Sequence, residues 1–160
     1  MNSALQRARQ GVGRRVPARS QQAELTALGP DGRRELVDSL VTAWENADVA
    51  ALVSLLADDA RFTMPPLPAW FDGKADVTRF FTERVFAARW RVVPLEVNAQ
   101  LGIACYTREP GADAFVLGAI NVISLRAGRI SQLTGFLDPE THRRFGLPAE
   151  IDPENIRGNR

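Results

Sequence analysis

One histidine, one asparagine within an apolar strand and one glutamate beside a turn are the side chains of this chain best placed to do chemistry. His142 lies four residues beyond Asp138 in the segment FLDPETHRRFGLP, which predicts a short closing helix with Asp138 as N-cap and Pro139 in its first position. An imidazole there can serve as acid or base near neutral pH, oriented by Asp138. The plainer reading is a partly exposed helical residue beside Arg143 and Arg144, with Asp138 acting only as a cap. Asn121 is the polar member of the set Phe115, Leu117, Ala119, Asn121, Ile123 and Leu125, which strict alternation places on one face of a strand over 115–125. A lone buried amide costs about 1–3 kcal/mol if unpaired, so it needs a partner in the core or on a ligand. Glu109 precedes Pro110-Gly111 at a strand end. It can be the carboxylate base of an enolising site with Asn121 or His142 as donor, or a solvated loop residue.

Apolar residues are spaced to line a pocket beside these groups. Phe62 or Met64 on a short strand, Leu67 and Trp70 in the loop MPPLPAWF, and Leu117, Ala119 and Leu137 are expected to surround one cavity with Asn121 and His142. Met64, Leu67, Trp70 and Phe71 read as its lid, and the small residues Ala119 and Gly135 as its free space. The implied ligand is a small hydrophobic molecule. Trp44 and Trp90 read as core. On the other strand face, Val116, Ile120 and Val122 form an apolar surface suited to a second copy of the chain, so a homodimer is expected.

Composition bounds the chemistry. The chain has 160 residues, 45% of them hydrophobic and 24% charged, which fits one domain plus a tail. One cysteine, Cys105, excludes an internal disulfide and any cysteine-based zinc site, and with one histidine no metal site is expected. A Gly-rich phosphate loop, a nucleophile elbow and a dinucleotide fingerprint are absent, so no cofactor is expected. No apolar run approaches the ~20 residues of a membrane span, and the N-terminus lacks a signal-peptide apolar region; the expectation is a cytoplasmic protein without membrane contact. The net charge of +1 conceals a basic segment: residues 1–23 carry Arg7, Arg9, Arg14, Arg15 and Arg19 with no acid. Such an arm either contacts nucleic acid or is simply solvated.

Elements that would position these groups follow from periodicity. A short helix over 2–10 ends at Gly11, Gly13 and Pro17; residues 20–28 predict a weak helical turn, and Gly29-Pro30-Asp31-Gly32 marks a boundary. Helices are predicted over 34–46, over 48–57 with Asp48 as N-cap, and over 74–88. The period then changes to two, giving strands at 90–98, 101–108, 115–125 and 129–137, with a loop at 109–113 and a tight turn at Arg126-Ala127-Gly128-Arg129. Residues after Pro148 predict a loose tail. The fold class is α+β: three N-terminal helices on a curved antiparallel sheet, forming a cone. The predicted organisation is a basic segment over 1–30, a domain over 31–148 and a tail over 149–160.

Residues 33–148 resemble the SnoaL-like branch of the nuclear-transport-factor-like superfamily. The segments carrying the resemblance are AWENADVAALVSLLADDARFTMPP, FDGKADV, GAINVISLRAGRISQLTGFLD and FGLP. The resemblance implies the cone fold and leaves the activity open, because the family includes cyclases, isomerases, hydrolases and non-catalytic binding domains. A narrower resemblance joins MNSALQRAR to the last helix of promoter-binding region four of extracytoplasmic-function sigma factors, SQQAELTALG to the linker that follows it, and WRVVPLEVNAQ and FLDPETHRRFGLP to their SnoaL-like C-terminal extensions. It implies a regulatory C-terminal domain concerned with transcription initiation, with RNA polymerase or DNA as partners only where the upstream sigma regions exist. The alternative is a free-standing, cofactor-free cyclase, isomerase or hydrolase. Limonene-type epoxide hydrolases have a loop similar to MPPLPAWF, but their catalytic positions fall here on Gly135, Glu109, the Pro110-Gly111 pair, Arg61 and Thr63, so that hydrolytic set is not kept.

Overall fold

In the computed structural model, residues 19–68 and 70–154 are described. The helix expected over 2–10, most of the basic arm and the end of the tail lie outside them.

The first helix, α1 (Gln21–Glu45), starts at Ser20, whose hydroxyl accepts from the Ala23 amide. It is two helical segments: Gly29 leaves helical geometry at φ 74°, ψ 168°, and Pro30 begins the second segment. The boundary read at Gly29 is therefore a bend, and the 20–28 segment is a full helix. Leu36, Val37, Leu40, Ala43 and Trp44 form its buried stripe at helical spacing. Asp48 caps α2 (Val49–Leu55) by accepting from the Ala51 amide. This helix ends two residues before the predicted limit, because the chain enters β1 (Leu56–Thr63) at Leu56. β2 (Trp70–Asp72), α3 (Lys74–Glu83) and a 3-10 turn (Val85–Ala87) follow. The remaining elements are β3 (Arg89–Val97), β4 (Gln100–Arg108), β5 (Phe115–Arg126), β6 (Arg129–Phe136), α4 (Pro139–Arg144) and β7 (Glu150–Ile151).

The strands make a curved, unclosed sheet in the order β2-β1-β6-β5-β4-β3, with β7 added on β5. Two expectations change here. β1 runs parallel to β6, so the sheet is mixed; β1 enters from α2 and not from a hairpin with β6, which frees its direction. The tail expected after Pro148 also contributes a strand, with Glu150 and Ile151 paired to Val116 and Phe115. The β3–β4 and β5–β6 hairpins turn at Asn98-Ala99 and Ala127-Gly128, and all four residues have positive φ, as tight two-residue turns require. The edge strand β3 carries Pro94, and its Val92 amide is taken by the Glu45 carboxylate at 2.9 Å, which blunts it against further pairing.

The helices cover the concave sheet face. Leu40, Leu52 and Phe81 are fully buried, and Trp44 meets the Phe81 ring edge-on at 4.9 Å between centroids. Phe81 also contacts Phe62, Phe80 and Phe86, so one ring joins α1, α3 and β1. Replacing Phe81 with Ala removes this junction and is expected to cost about 3–5 kcal/mol in urea unfolding; a loss below ~1 kcal/mol would show that the ring is not the centre of the core.

Candidate functional site

β5 is the strand on which the site depends, and its alternation is broken. Opposite adjacent residues Tyr106 and Cys105 of β4 stand Leu117 and Ala119, leaving Gly118 as an extra residue in β5. This bulge switches the strand's phase. Ala119, Asn121, Ile123 and Leu125 keep the concave face, whereas Phe115 and Leu117 pack with Ala104 and Tyr106 on the opposite face. The expectation that Leu117 lines the same cavity as Asn121 is corrected by this phase change. Cys105 points inward with Ala119; Tyr106 points outward, and its hydroxyl donates to Pro148 O at 2.9 Å.

Asn121 is 1% exposed and its Nδ2 donates to Cys105 Sγ at 3.3 Å. Its Oδ1 is buried with no hydrogen-bond partner. Gly135 lies directly across from it on β6, and a Cβ at that position would fall 2.9 Å from Asn121 Oδ1, 3.4 Å from Phe62 Cζ and 3.7 Å from Met64 Cγ. Glycine at 135 is thus what leaves the amide its place. Burial pushes the Cys105 thiol up to about 12, outweighing the opposite effect of the Asn121 contact, so the thiol stays protonated. If the amide is turned about, the thiol donates to Oδ1 and Nδ2 faces Gly135 instead. In either orientation Cys105 satisfies one end of the amide and the other end is unpaired.

Phe62, Met64, Ala119, Asn121 and Gly135 therefore come together on the concave face, with Cys105 as the residue that sequence reading left out. The available signal was alternation on β4, which puts Cys105 on the face of Ile103. Other expected members are elsewhere. Leu67 and Trp70 are 51% and 59% exposed, and Leu137 also faces solvent. His142 is buried, with Nε2 2.6 Å from Phe136 O, one residue from Gly135. Asp138 accepts from the Thr141 amide and hydroxyl, and those bonds lower its carboxyl below the usual value. It is a helix cap. Glu109 is exposed in the loop after β4. Asn121 stands opposite Ile103, so Glu109 lies six residues further along β4, roughly 20 Å away. Glu109, Asn121 and His142 do not form one catalytic set.

The outer face is also more covered than expected. Ile120 is fully buried within one copy and Val122 is half-buried, while exposed Val116 alternates with outward Phe115 and Leu117 and so, contrary to expectation, does not share the outer face; Leu147 and Ile151 lie over Ala104, Tyr106 and Phe115. A shallow depression between α1 and α2, lined by Asp38, Ser39, Thr42, Ala43, Asp48 and Ala51, involves none of the site residues. Among the described residues no helix is long and apolar enough to cross a membrane, and no group of three His, Cys, Asp or Glu is placed to hold a metal.

The family model of the SnoaL-like domain matches residues 37–133. The extracytoplasmic-function RNA polymerase sigma factor SigG of Mycobacterium tuberculosis is 28% identical over 154 residues, covering 94% of this chain and 40% of the sigma factor. The chain thus spans less than half the length of that relative. Among solved structures, an NTF2-like protein of unknown function from Burkholderia xenovorans superposes with a TM-score of 0.59 at 13% identity, covering 83% of this chain and 97% of that one. A de novo designed protein with a curved β-sheet gives 0.57 at 17% identity, over 74% and 94%. The canthaxanthin-binding orange carotenoid protein of Anabaena gives 0.52 at 19% identity, over 66% and 36%. These likenesses define the fold.

Two outcomes follow from the site geometry. Gly135→Ala drives a methyl against Asn121 Oδ1 and is expected to cost about 1–3 kcal/mol; in an Asn121→Ala background that cost falls by at least ~1 kcal/mol in a double-mutant cycle, and strict additivity would refute the contact. The Cys105 thiol, at 9.0 in its ordinary state and about 12 when buried, gives a stability contribution that is complete below pH 9 and is lost as the pH rises from 9 to about 12. Tyr106, raised by the same cause, adds to the loss. Cys105→Val is expected to flatten the alkaline decline in unfolding free energy; an unchanged decline would place the titration elsewhere.

Proposed function

The chain belongs to the SnoaL-like domain family, and we propose that it is the ligand-sensing, regulatory part of an extracytoplasmic-function sigma factor, binding a small hydrophobic molecule at Asn121. The supporting observation is the reach of the sigma-factor match: at 94% of the chain it extends well beyond residues 37–133 on both sides, into the segments outside the domain model. On this reading RNA polymerase and promoter DNA are partners of the longer protein, and its location is the cytoplasm.

The chemistry of the site supports a ligand that is apolar with one polar group. Phe62, Ala119 and Met64 present carbon, and Asn121 presents an unpaired amide end. An unpaired buried amide is destabilising by about 1–3 kcal/mol, a penalty that a hydroxyl or carbonyl on a bound molecule would relieve. Met64 is half-buried over this spot, and its unbranched side chain has the rotational freedom to move aside on binding. The second reading, a cofactor-free cyclase, isomerase or hydrolase, draws on the buried imidazole of His142 near Gly135. If the chain dimerises as expected, half-buried Val122 is the member of the expected apolar set still open on the outer face, since Ile120 is buried and the bulge turns Val116 to the other side.

Thermal unfolding of the 160-residue chain with indane, 1-indanol and 1-indanone tests the ligand reading. Ligand at ~100 times its Kd stabilises by about 2.7 kcal/mol, which corresponds to a rise of roughly 5–10 °C in Tm for a chain of this size. Ala119→Phe, which sets a ring against Asn121, is expected to abolish the rise while leaving the circular dichroism spectrum unchanged. No rise with any apolar compound would reject the pocket. Conversion of a bound compound, lost in His142→Ala, would favour the enzyme. The genomic frame upstream separates the sigma assignment: in-frame promoter-binding regions are expected, and their absence would overturn it.

A further inference from the structure

The end of the sheet that carries the β3–β4 and β5–β6 turns has an unusual cover. β4 pairs with β5 only from Thr107–Val116 to Gly102–Val122, so β5 outruns β4 and its last residues lack a strand on that side. Their peptide groups are taken by side chains of the first α1 segment. Gln21 holds Leu125 with both ends of its carboxamide: Nε2 donates to Leu125 O at 2.9 Å, and Oε1 accepts from Leu125 N at 2.7 Å. Its amide thus substitutes for the missing peptide of a neighbouring strand. Glu24, 5% exposed, accepts the Ala127 amide at 2.9 Å in the β5–β6 turn, and Gln22 donates to Ala99 O at 3.0 Å in the β3–β4 turn. Leu25 is buried in the main core, and Leu28 packs against that core and passes over Gly128. Three polar residues on one helical turn therefore read three backbone sites, with a leucine pair beneath them.

An eight-residue helical segment such as 21–28 is marginal on its own in water, so its order comes from docking. It has a start at Ser20 and a stop at Gly29, and it lies outside residues 37–133, the span of the family match. From these contacts we infer that the turn end of the sheet is a built docking surface for the chain's own helical segment 21–28, capped by Ser20, which acts as a rigid strut setting the direction in which the preceding chain leaves the domain. A sequence read as a linker is then a structural joint. A flexible tether would leave residues 20–28 free to move on the sheet; docked, they hold one direction there. The strut depends on polar side chains meeting backbone groups, so its register is specific to Gln21, Gln22 and Glu24.

Paired spin labels at Arg19→Cys and Asp113→Cys, both exposed positions, test this in the full chain; buried Cys105, with its thiol held protonated, does not compete for label. A single narrow distance distribution is expected. Gln21→Ala with Glu24→Leu should broaden it and lower amide-exchange protection over residues 22–28 from roughly 100-fold or more to near the free-peptide rate, while β4–β6 stay protected. Glu24→Gln, which keeps an acceptor oxygen, should retain the narrow distribution. A broad distribution in the unaltered chain, or full protection of 22–28 in the double variant, would overturn the strut.

Discussion

The extra residue at Gly118 in β5 governs what the concave face of this molecule contains. Without it, Phe115 and Leu117 would join Asn121 over the helices, and the middle of the sheet would be filled by large apolar side chains. With it, those two residues serve a separate outer cluster with Tyr106, and Ala119 is what stands beside Cys105 and Asn121. A Cβ added at Gly118 would meet Thr107 and Trp90 at 3.4 and 3.5 Å, ordinary van der Waals contact, so it is the unpaired extra residue and not crowding that marks the position. The bulge also ends the β4 pairing in a new phase, which sends Leu117 toward the C-terminal segment, where its amide donates to Ala149 O at 2.8 Å. Site, outer cover and tail docking all descend from one inserted residue.

Much of the architecture was legible because it rests on period and capping. The α1 stripe Leu36, Val37, Leu40 and Trp44, the caps at Asp48 and Asp138, and the positions of β3 to β6 follow from residue spacing and side-chain chemistry that act locally. What escaped was set at long range. Alternation assumes an unbroken ladder, and nothing in FVLGAINVISL distinguishes a bulge glycine from an ordinary one. The parallel pairing of β1 with β6 joins residues about 70 positions apart, beyond any local signal. The strut was read as a weak turn because its stabilising partners, Leu125 and Ala127, are more than 100 residues away. Of the candidate site, Asn121, Phe62, Met64 and Ala119 were readable as a polar residue among apolar ones. Alternation on β4 set Cys105 and Tyr106 on opposite faces without saying which points inward, and Leu67, Trp70 and Leu137 were placed inward on hydrophobicity, a property that does not by itself ensure burial.

The second half of β5 connects the parts of the functional proposal. Asn121 sits mid-strand, with its unpaired amide end facing Gly135, and four residues on Leu125 is held by Gln21 of the docked helix. A domain built this way carries Asn121 on its concave face and the docked 21–28 helix at its turn end. Those are the two features a regulatory module in a longer protein requires: a place where a small molecule acts, and a stiff connection to what it acts upon. The catalytic alternative has less to draw on, since His142 is engaged with the Phe136 carbonyl and Glu109 is remote from both.

The central claim is that the free end of the Asn121 amide is the group that recognises the ligand. The side-chain amide resonances of Asn121, followed by 15N–1H NMR in matched titrations with 1-indanol and indane, test it most directly. 1-Indanol is expected to move the Asn121 side-chain resonances well beyond the shifts produced by indane, at equal occupancy of the site. Binding of both compounds with the Asn121 side-chain resonances unmoved would contradict it.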